Sequence, residues 1–440
     1  MPEQEREPAS QAPAVHRAMA KDARARGDEL AAQAHLVAAQ TLEANADGVA
    51  VGSPSELCKV ATGYFMLGDH TSAERWYRLV LALDPNLASA WQNLAAIHSN
   101  RGDVTQARSC RERAYAIQRV FVESASEPQR RLLILCAGRT SGNVPFETLL
   151  SSGNSCRIKY VIDFATEEED AQLPPFDLVF NAIGEPDVSA PLIDRLERFA
   201  ARCGRPVLNA PAAVVRTQRH RLAALLGELD DVVLAPCSRF EGPPASRADL
   251  VGRLSRGGLE LPVLARPAAT HGGQGLVRCA TVDALEDELR GIDGAQYLTS
   301  FRDYRSPDGH YRKYRVVFVD REPFAYHLAI SSHWMVHYFS ADMLEEPWKI
   351  DEERRFLEET GAALGDRAMA AIAVIGRRLD LDYAGVDFTL LPDGRVFLFE
   401  ANATMLVHRE RSTGVLAHRN AHVQRIVDAF ERLQARRIAG

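Results

Sequence analysis

Three residues toward the end of this 440-residue chain have the types and spacing to hold a divalent cation: Asp387, Glu400 and Asn402. They lie in LDYAGVDFTLLPDGRVFLFEANATM, residues 381–405, where two apolar runs are parted by Asp393-Gly394. Asp-Gly between such runs signals a hairpin with a two-residue type I′ turn. That turn sets Leu391 opposite Val396, Thr389 opposite Leu398 and Asp387 opposite Glu400. Opposed Cβ atoms are about 5 Å apart, where like charges repel, so a cation is expected between the acids. Asn402, two residues beyond Glu400, shares its face. Two carboxylates and an amide oxygen make a hard, oxygen-only set suited to Mg²⁺ shared with nucleotide phosphates. The opposite face, Phe388, Leu390, Phe397 and Phe399, is wholly apolar and is expected to be buried.

Other chemistry-bearing residues precede this hairpin. A strand over 261–267 leads into Thr270-His271-Gly272-Gly273-Gln274-Gly275, whose glycines let backbone N–H groups approach phosphate oxygens. It is neither a Walker A loop nor a dinucleotide fingerprint, so by spacing alone it is either a phosphate lid or an ordinary turn. Lys313 and Arg315 share one face of a strand over 311–319, and Arg219, His220 and Arg221 open a helix. His333 and His337 are four residues apart, but no HExxH accompanies them, and hydrogen-bonded structure is the simpler reading.

The elements that must position these groups fall into several domains. Lys+Arg 52 against Asp+Glu 59 gives a net charge of −7, which excludes a broadly basic surface for nucleic acid or an anionic membrane. Seven cysteines without a CxxC pair argue against a zinc knuckle or a secreted disulfide framework and for the cytoplasm. No apolar run reaches transmembrane length. Residues 1–22 are polar and Pro-containing and are expected to be a disordered leader. Over 23–122 the pattern is helical. Leu57/Trp91, Gly68/Gly102, Asp69/Asp103 and Ala73/Ala107 recur at 34 residues, the tetratricopeptide period, and 23–48 is read as a degenerate first repeat. A polar linker over 123–130 precedes short buried-type strands alternating with helices, hence a mostly parallel sheet over 131–215. Its loops 138–143 and 182–185 lie where ligands collect in such sheets. One long helix over 353–379 is expected to deliver the chain to the hairpin.

From Arg131 onward the succession VLNAP…TQRHR, VLARPAATHGGQG, YRKYRVVFV and DYAGVDF…FLFEANAT resembles the ATP-grasp superfamily, in particular its glutathione-synthetase-like and ribosomal-protein glutamate-ligase-like branches. The resemblance implies an α+β fold: a parallel α/β domain over 131–215, a lid lobe over 216–300 and a Mg²⁺-binding lobe over 301–440, behind the all-α repeat module. It implies that Asp387, Glu400 and Asn402 hold Mg²⁺, and that Arg219, Arg221, Arg266, His271, Gly272, Gly273, Gln274, Gly275 and Arg315 bind ATP. The adenine is expected at Gln296, Tyr297 and Leu298. Arg266 stands where the family usually has a lysine, a change from point charge to planar fork. Arg266, Arg315 and Lys313 are the implied catalytic cations. The expected activity is ADP-forming ligation of a carboxylate to an amine or thiol on a peptide or small-molecule substrate, with the repeats recruiting a peptide or protein. Two rivals stay open: a phosphotransferase using His271, His333 or His337, and a nucleotide-gated scaffold without turnover.

Overall fold

The computed structural model describes residues 12–47, 54–138, 142–270, 272–290, 292 and 294–440. The chain forms two compact units, Met1–Arg119 and Val120–Gly440. Among the described residues no helix is long and apolar enough to cross a membrane.

The first unit is helical: α1 (Ala12–Ala25), α2 (Glu29–Asp47), α3 (Pro54–Met66), α4 (His70–Leu83), α5 (Ala88–Asn100) and α6 (Val104–Ile117). Helices pair α1 with α2, α3 with α4, and α5 with α6. Each pair turns on the same two residues. Gly27, Gly68 and Gly102 have φ of 77°, 81° and 78°, a conformation that favours glycine. The aspartate after each caps the next helix, Asp28, Asp69 and Asp103 accepting from the N–H of Ala31, Ser72 and Gln106 at 2.9, 3.0 and 3.1 Å. The first pair escapes a 34-residue search because Gly27 precedes Gly68 by 41 residues. Helix α1 corrects the disordered-leader reading over residues 12–22, where the chain is helical and Ala20 is buried, as is Ala23 beyond; residues 1–11 of that reading lie outside the described residues. Small side chains there let α1 lie close against α2, an interaction that polar composition does not reveal.

The second unit contains three sheets. In the first, β1 (Val120–Ser124), β2 (Arg130–Cys136), β3 (Ser155–Val161), β4 (Leu178–Asn181) and β5 (Val207–Leu208) run in the order β1-β3-β2-β4-β5. All pairs are parallel except β1 with β3. Strand β1 occupies what read as the helical domain's end and its linker; the Val-Phe-Val run pairs as an edge strand instead.

Strand β6 (Val232–Leu234) pairs in parallel with β14 (Val396–Asn402) of the third sheet. The lid lobe therefore begins after β6, not at residue 216, because Val232 and the preceding Leu222 and Leu226 are buried in the third sheet's core. The lid sheet is antiparallel, β7 (Cys237–Glu241), β8 (Val263–Pro267), β9 (Val277–Cys279) and β10 (Ala295–Ser300) in the order β7-β10-β8-β9. Its core takes Leu250, Leu254, Leu285 and Leu289 from two covering helices. The third sheet runs β12-β11-β13-β14-β6, from β11 (Tyr311–Val319), β12 (Glu322–Ser331) and β13 (Tyr383–Leu390). Helices Pro347–Glu358 and Thr360–Leu379 replace the single long one expected, with a further break at Gly365, φ 79°. The last helix, Arg419–Ala439, sets Val423 and Phe430 in one core with Leu132 and Phe180 of the first sheet and Val317 and Val319 of the third.

The hairpin that carries the two acids departs from its expected register twice, and the departures cancel at the acids. Gly394 N–H donates to Leu391 O at 2.8 Å and Leu391 N–H to Arg395 O at 2.9 Å, which closes a three-residue loop over Pro392-Asp393-Gly394. Proline fits the first central position of a type I turn, and Gly394, φ 80°, follows it as the left-handed residue. Leu390 thus pairs with Val396, Thr389 with Phe397 and Phe388 with Leu398. An irregularity between Asp387 and Phe388 then leaves Phe399 as an extra residue and returns Asp387 opposite Glu400. The aromatic floor consequently divides. Phe388 enters the core, whereas Phe397 and Phe399 meet each other at 5.3 Å and line a cavity with Tyr304.

Candidate functional site

Asp387, 2% exposed, lies on β13, and two cations from the neighbouring β11 reach it. Arg315 donates from Nε to Oδ1 at 2.6 Å and from Nη2 to Oδ2 at 2.7 Å. The Lys313 ammonium is 3.4 Å from Oδ2. The sequence reading that Lys313 and Arg315 share a face is what lets both converge on one carboxylate. Across the ladder, Glu400 is gripped by Arg219, with Arg266 on β8 at 3.9 Å. Burial, the largest single influence, and the Asp387 charge would raise the Glu400 carboxyl, but Arg219 and Arg266 together overcome them and the group is held at about 2. Asp387 is likewise lowered, Arg315 and Lys313 overcoming its burial. Arg266 falls to about 10 through burial and the nearby Arg219 charge.

These groups line a cavity of about 210 Å³. Its wall also includes apolar side chains, Leu222, Leu234, Leu264, Trp334 and Phe397. A cavity that combines apolar wall with a cationic cluster suits a nucleotide, whose flat base and phosphates ask for the two. Glycines 272 and 273, φ 61° and 75°, form part of the wall. A Cβ on Gly273 would run into the imidazole of His337, which packs on that backbone. Thr270 O accepts from Arg266, which ties the loop to the strand that precedes it.

Several expected residues lie elsewhere. Arg221 is exposed and lines a surface depression with Gln218 and Glu241 rather than the cavity, because the 3₁₀ turn Arg219–Arg221 points its first and last side chains differently. Gln274 and Gly275 are exposed outside the wall, and His271 lies outside the described residues. On β10, Leu298 is buried in the lid core and Tyr297 donates to Asp187 at 2.9 Å. The cavity is lined instead by the strand's end, Thr299 and Ser300, and by Phe301 and Arg302. Asn402 turns its amide oxygen to Thr404, accepting from its N–H at 3.0 Å and its hydroxyl at 3.1 Å.

Among groups not singled out from sequence, Tyr304 and Cys237 line the cavity, and Glu185 stands close enough to feel both Arg219 and Glu400. Burial pushes Glu185 up to about 7. Its loop, 182–185, lies where ligands collect in a parallel sheet, but a single Glu there carries no further signal in the sequence.

For Mg²⁺, Asp387 and Glu400 supply facing oxygen donors of the required hardness, and Asn402 can add a third by exchanging its bond to Thr404. Among the described residues no cluster of three or more His, Cys, Asp or Glu side chains forms a metal site. A two-carboxylate set with the remaining ligands from phosphate is compatible with that.

No family model matches the chain, and no curated protein matches it. Among solved structures it is similar to a D-alanine–D-alanine ligase from Bacillus anthracis complexed with ATP, at 13% identity and TM-score 0.42 over 70% of this chain and 97% of that one. It is also similar to VanG D-Ala:D-Ser ligase from Enterococcus faecalis, at 12% identity and TM-score 0.43 over 69% and 99%. A third is a RimK domain ATP-grasp protein from Sphaerobacter thermophilus, at 16% identity and TM-score 0.40 over 68% and 98%.

Proposed function

We propose that the second unit is an ATP- and Mg²⁺-dependent ligase of ATP-grasp type, which activates a carboxylate as an acyl phosphate for attack by an amine or thiol. One observation carries this reading. Four cationic side chains, Arg219, Arg266, Lys313 and Arg315, converge on only two carboxylates, Asp387 and Glu400. Of the other acids nearby, Glu185 is pushed up to about 7 and neutralises at most part of the surplus, and Asp187 is paired with Arg239 at 3.3 Å. A largely buried excess of positive charge calls for an anion of more than one charge, and the apolar side chains in the same cavity's wall suit a nucleotide base.

Asp387 and Glu400 would hold Mg²⁺, which when bound offsets charge on the β- and γ-phosphates. The arginines exchange part of their bonding from carboxylate to phosphate and stabilise the charge that develops on the transferring phosphoryl group. The Gly272-Gly273 backbone closes on the phosphates and limits water. A substrate carboxylate oxygen attacks the γ-phosphorus and ADP leaves. The amine nitrogen then attacks the acyl carbon and loses a proton, the acyl C–O bond breaks, and phosphate departs with its electron pair.

The helical unit, with its three matching turns, supports a tetratricopeptide-like module that recruits a peptide or protein. Seven free cysteines agree with a reducing cytoplasm. The test is calorimetry of Mg-ATP binding to the wild type and to Asp387→Ala/Glu400→Ala. Binding is expected in the first and lost in the second, and unchanged binding in the variant sinks the reading.

A further inference from the structure

A second cavity, about 420 Å³, lies on the other side of the cationic cluster. It shares Gly272, Lys313, Arg315, His337 and Glu400 with the first, so these five residues form a partition between the two. Beyond the partition the wall is largely apolar and aromatic: Pro145, Tyr326, Tyr338, Met405 and Leu406.

Two features restrict what this space accepts. The first is charge. Lys313, Arg315 and Arg419 line it, while Glu400 is its single carboxylate among the described residues and is gripped by Arg219. Arg419 is balanced from behind by Glu353 at 3.1 Å and Glu410 at 2.9 Å, neither of which lines the cavity. None of Arg139, Thr140, Ser141 and His271, which adjoin Gly142 and Gly272 in the chain, is acidic. An ammonium group entering here would meet cations, and the carboxylates within reach are already held, Glu400 by Arg219 and Asp387 by Arg315 and Lys313.

The second feature is an unpartnered polar atom. His327, 6% exposed, lines the cavity, and its buried Nδ1 has no hydrogen-bond partner among the described residues. Burial, with the charges of Arg315 and Arg419 next, drives its pKa well below the usual histidine value, so the ring is neutral. A neutral imidazole wants one hydrogen bond at Nδ1, and an amide can supply it in either tautomer, as N–H donor or carbonyl acceptor.

We propose, on the reading of the first cavity as the ATP site, that the second cavity takes the acid to be activated and that this acid has no ammonium group beside its carboxylate. The class is an N-acylated amino acid or a peptide C-terminus with an apolar or aromatic side chain. Its carboxylate lies at Lys313 and Arg315, its amide at His327, and its side chain against Tyr326, Tyr338, Met405 and Leu406.

Hydroxylamine makes the acid half testable without the natural amine. The acid oxygen attacks the γ-phosphorus of ATP and ADP leaves; the hydroxylamine nitrogen then attacks the acyl carbon, losing a proton as phosphate departs, to give a hydroxamate. The full-length protein is first titrated with Mg-ATP by calorimetry, and absent binding overturns the ATP reading itself. With ATP bound, N-acetyl-L-phenylalanine and L-phenylalanine are compared for hydroxamate formation. The N-acetyl acid is expected to have kcat/KM roughly tenfold or more above the free amino acid, the discrimination an unpaired buried charge imposes. Equal use, preference for the free amino acid, or no hydroxamate from either overturns the substrate class while the ATP reading stands. His327→Leu is expected to raise KM for the N-acetyl acid several-fold with unchanged Mg-ATP affinity. Leu406→Trp, at a position 41% exposed and tolerant of change, is expected to obstruct the acid in the same way. Full acid use by Leu406→Trp overturns the location of the pocket.

Discussion

Arg315 and Asp387 form a two-pronged pair, 2.6 and 2.7 Å, between adjacent strands in a largely buried sheet. A fork-to-carboxylate match of this kind fixes the orientation of both groups, so the carboxylate is held toward the cavity instead of choosing among rotamers. It also shields a buried acid until a ligand competes for the arginine.

Removing that acid leaves two cations without their partner. Asp387→Asn is expected to destabilise the second unit by about 3 kcal/mol, the scale for breaking a buried pair. Denaturant unfolding measures the loss, and a change under about 0.5 kcal/mol, the range of ordinary surface substitutions, contradicts the pairing.

The positive surplus predicts that a polyphosphate binds even without metal. Tripolyphosphate at about 100 times its Kd is expected to stabilise the protein by about 2.7 kcal/mol, read as a rise in Tm. Added salt should weaken the effect. Arg266→Ala should diminish it, while absence of any rise in the wild type contradicts an anion site.

Glu185 gives a pH dependence of definite sign. Its folded carboxyl is raised to about 7 from an ordinary value of 4.5, so the folded state holds the proton more tightly than the unfolded state. Stability from this group is therefore full below pH 4.5 and falls as pH rises toward 7. Glu185→Gln should raise stability by roughly 1–3 kcal/mol at alkaline pH and by little in acid. Urea unfolding across that range reads the difference, and a gain confined to low pH contradicts it.

Gly273 faces the His337 ring at close range in a conformation, φ 75°, that side chains rarely adopt. Gly273→Ala is expected to weaken ATP binding by roughly tenfold, since it must both strain the backbone by about 1 kcal/mol and displace the imidazole. Gly273→Ala/His337→Ala should recover the steric part alone. A double-mutant cycle with no coupling between the positions contradicts the contact.

Much of the acid site was legible because charged residues interrupt strands that are otherwise apolar. Asp387 and Glu400 were paired correctly from sequence, yet through two deviations that offset: a longer turn at Pro392 and an extra residue at Phe399. Bulges follow from packing on both faces of a sheet and leave little trace in a single strand's pattern. The same limit applies on β10, where Thr299 and Ser300, with Phe301 and Arg302 after them, line the cavity and Gln296, Tyr297 and Leu298 do not. Period-two alternation separates two faces of β10 but does not say which one meets the cavity. In the helical unit the 34-residue period revealed two pairs, while the first pair, at a different spacing, became visible through its identical Gly27-Asp28 turn.

The sequence by itself determined which charges are available and that Lys313 and Arg315 share a face, because strand alternation is a local property of the backbone. Only the tertiary structure decided which cation meets which acid. Arg315 finds Asp387 across 72 residues and Arg219 finds Glu400 across 181, and contacts over such separations are set by how the sheets pack and the loops close, not by any local preference of the chain.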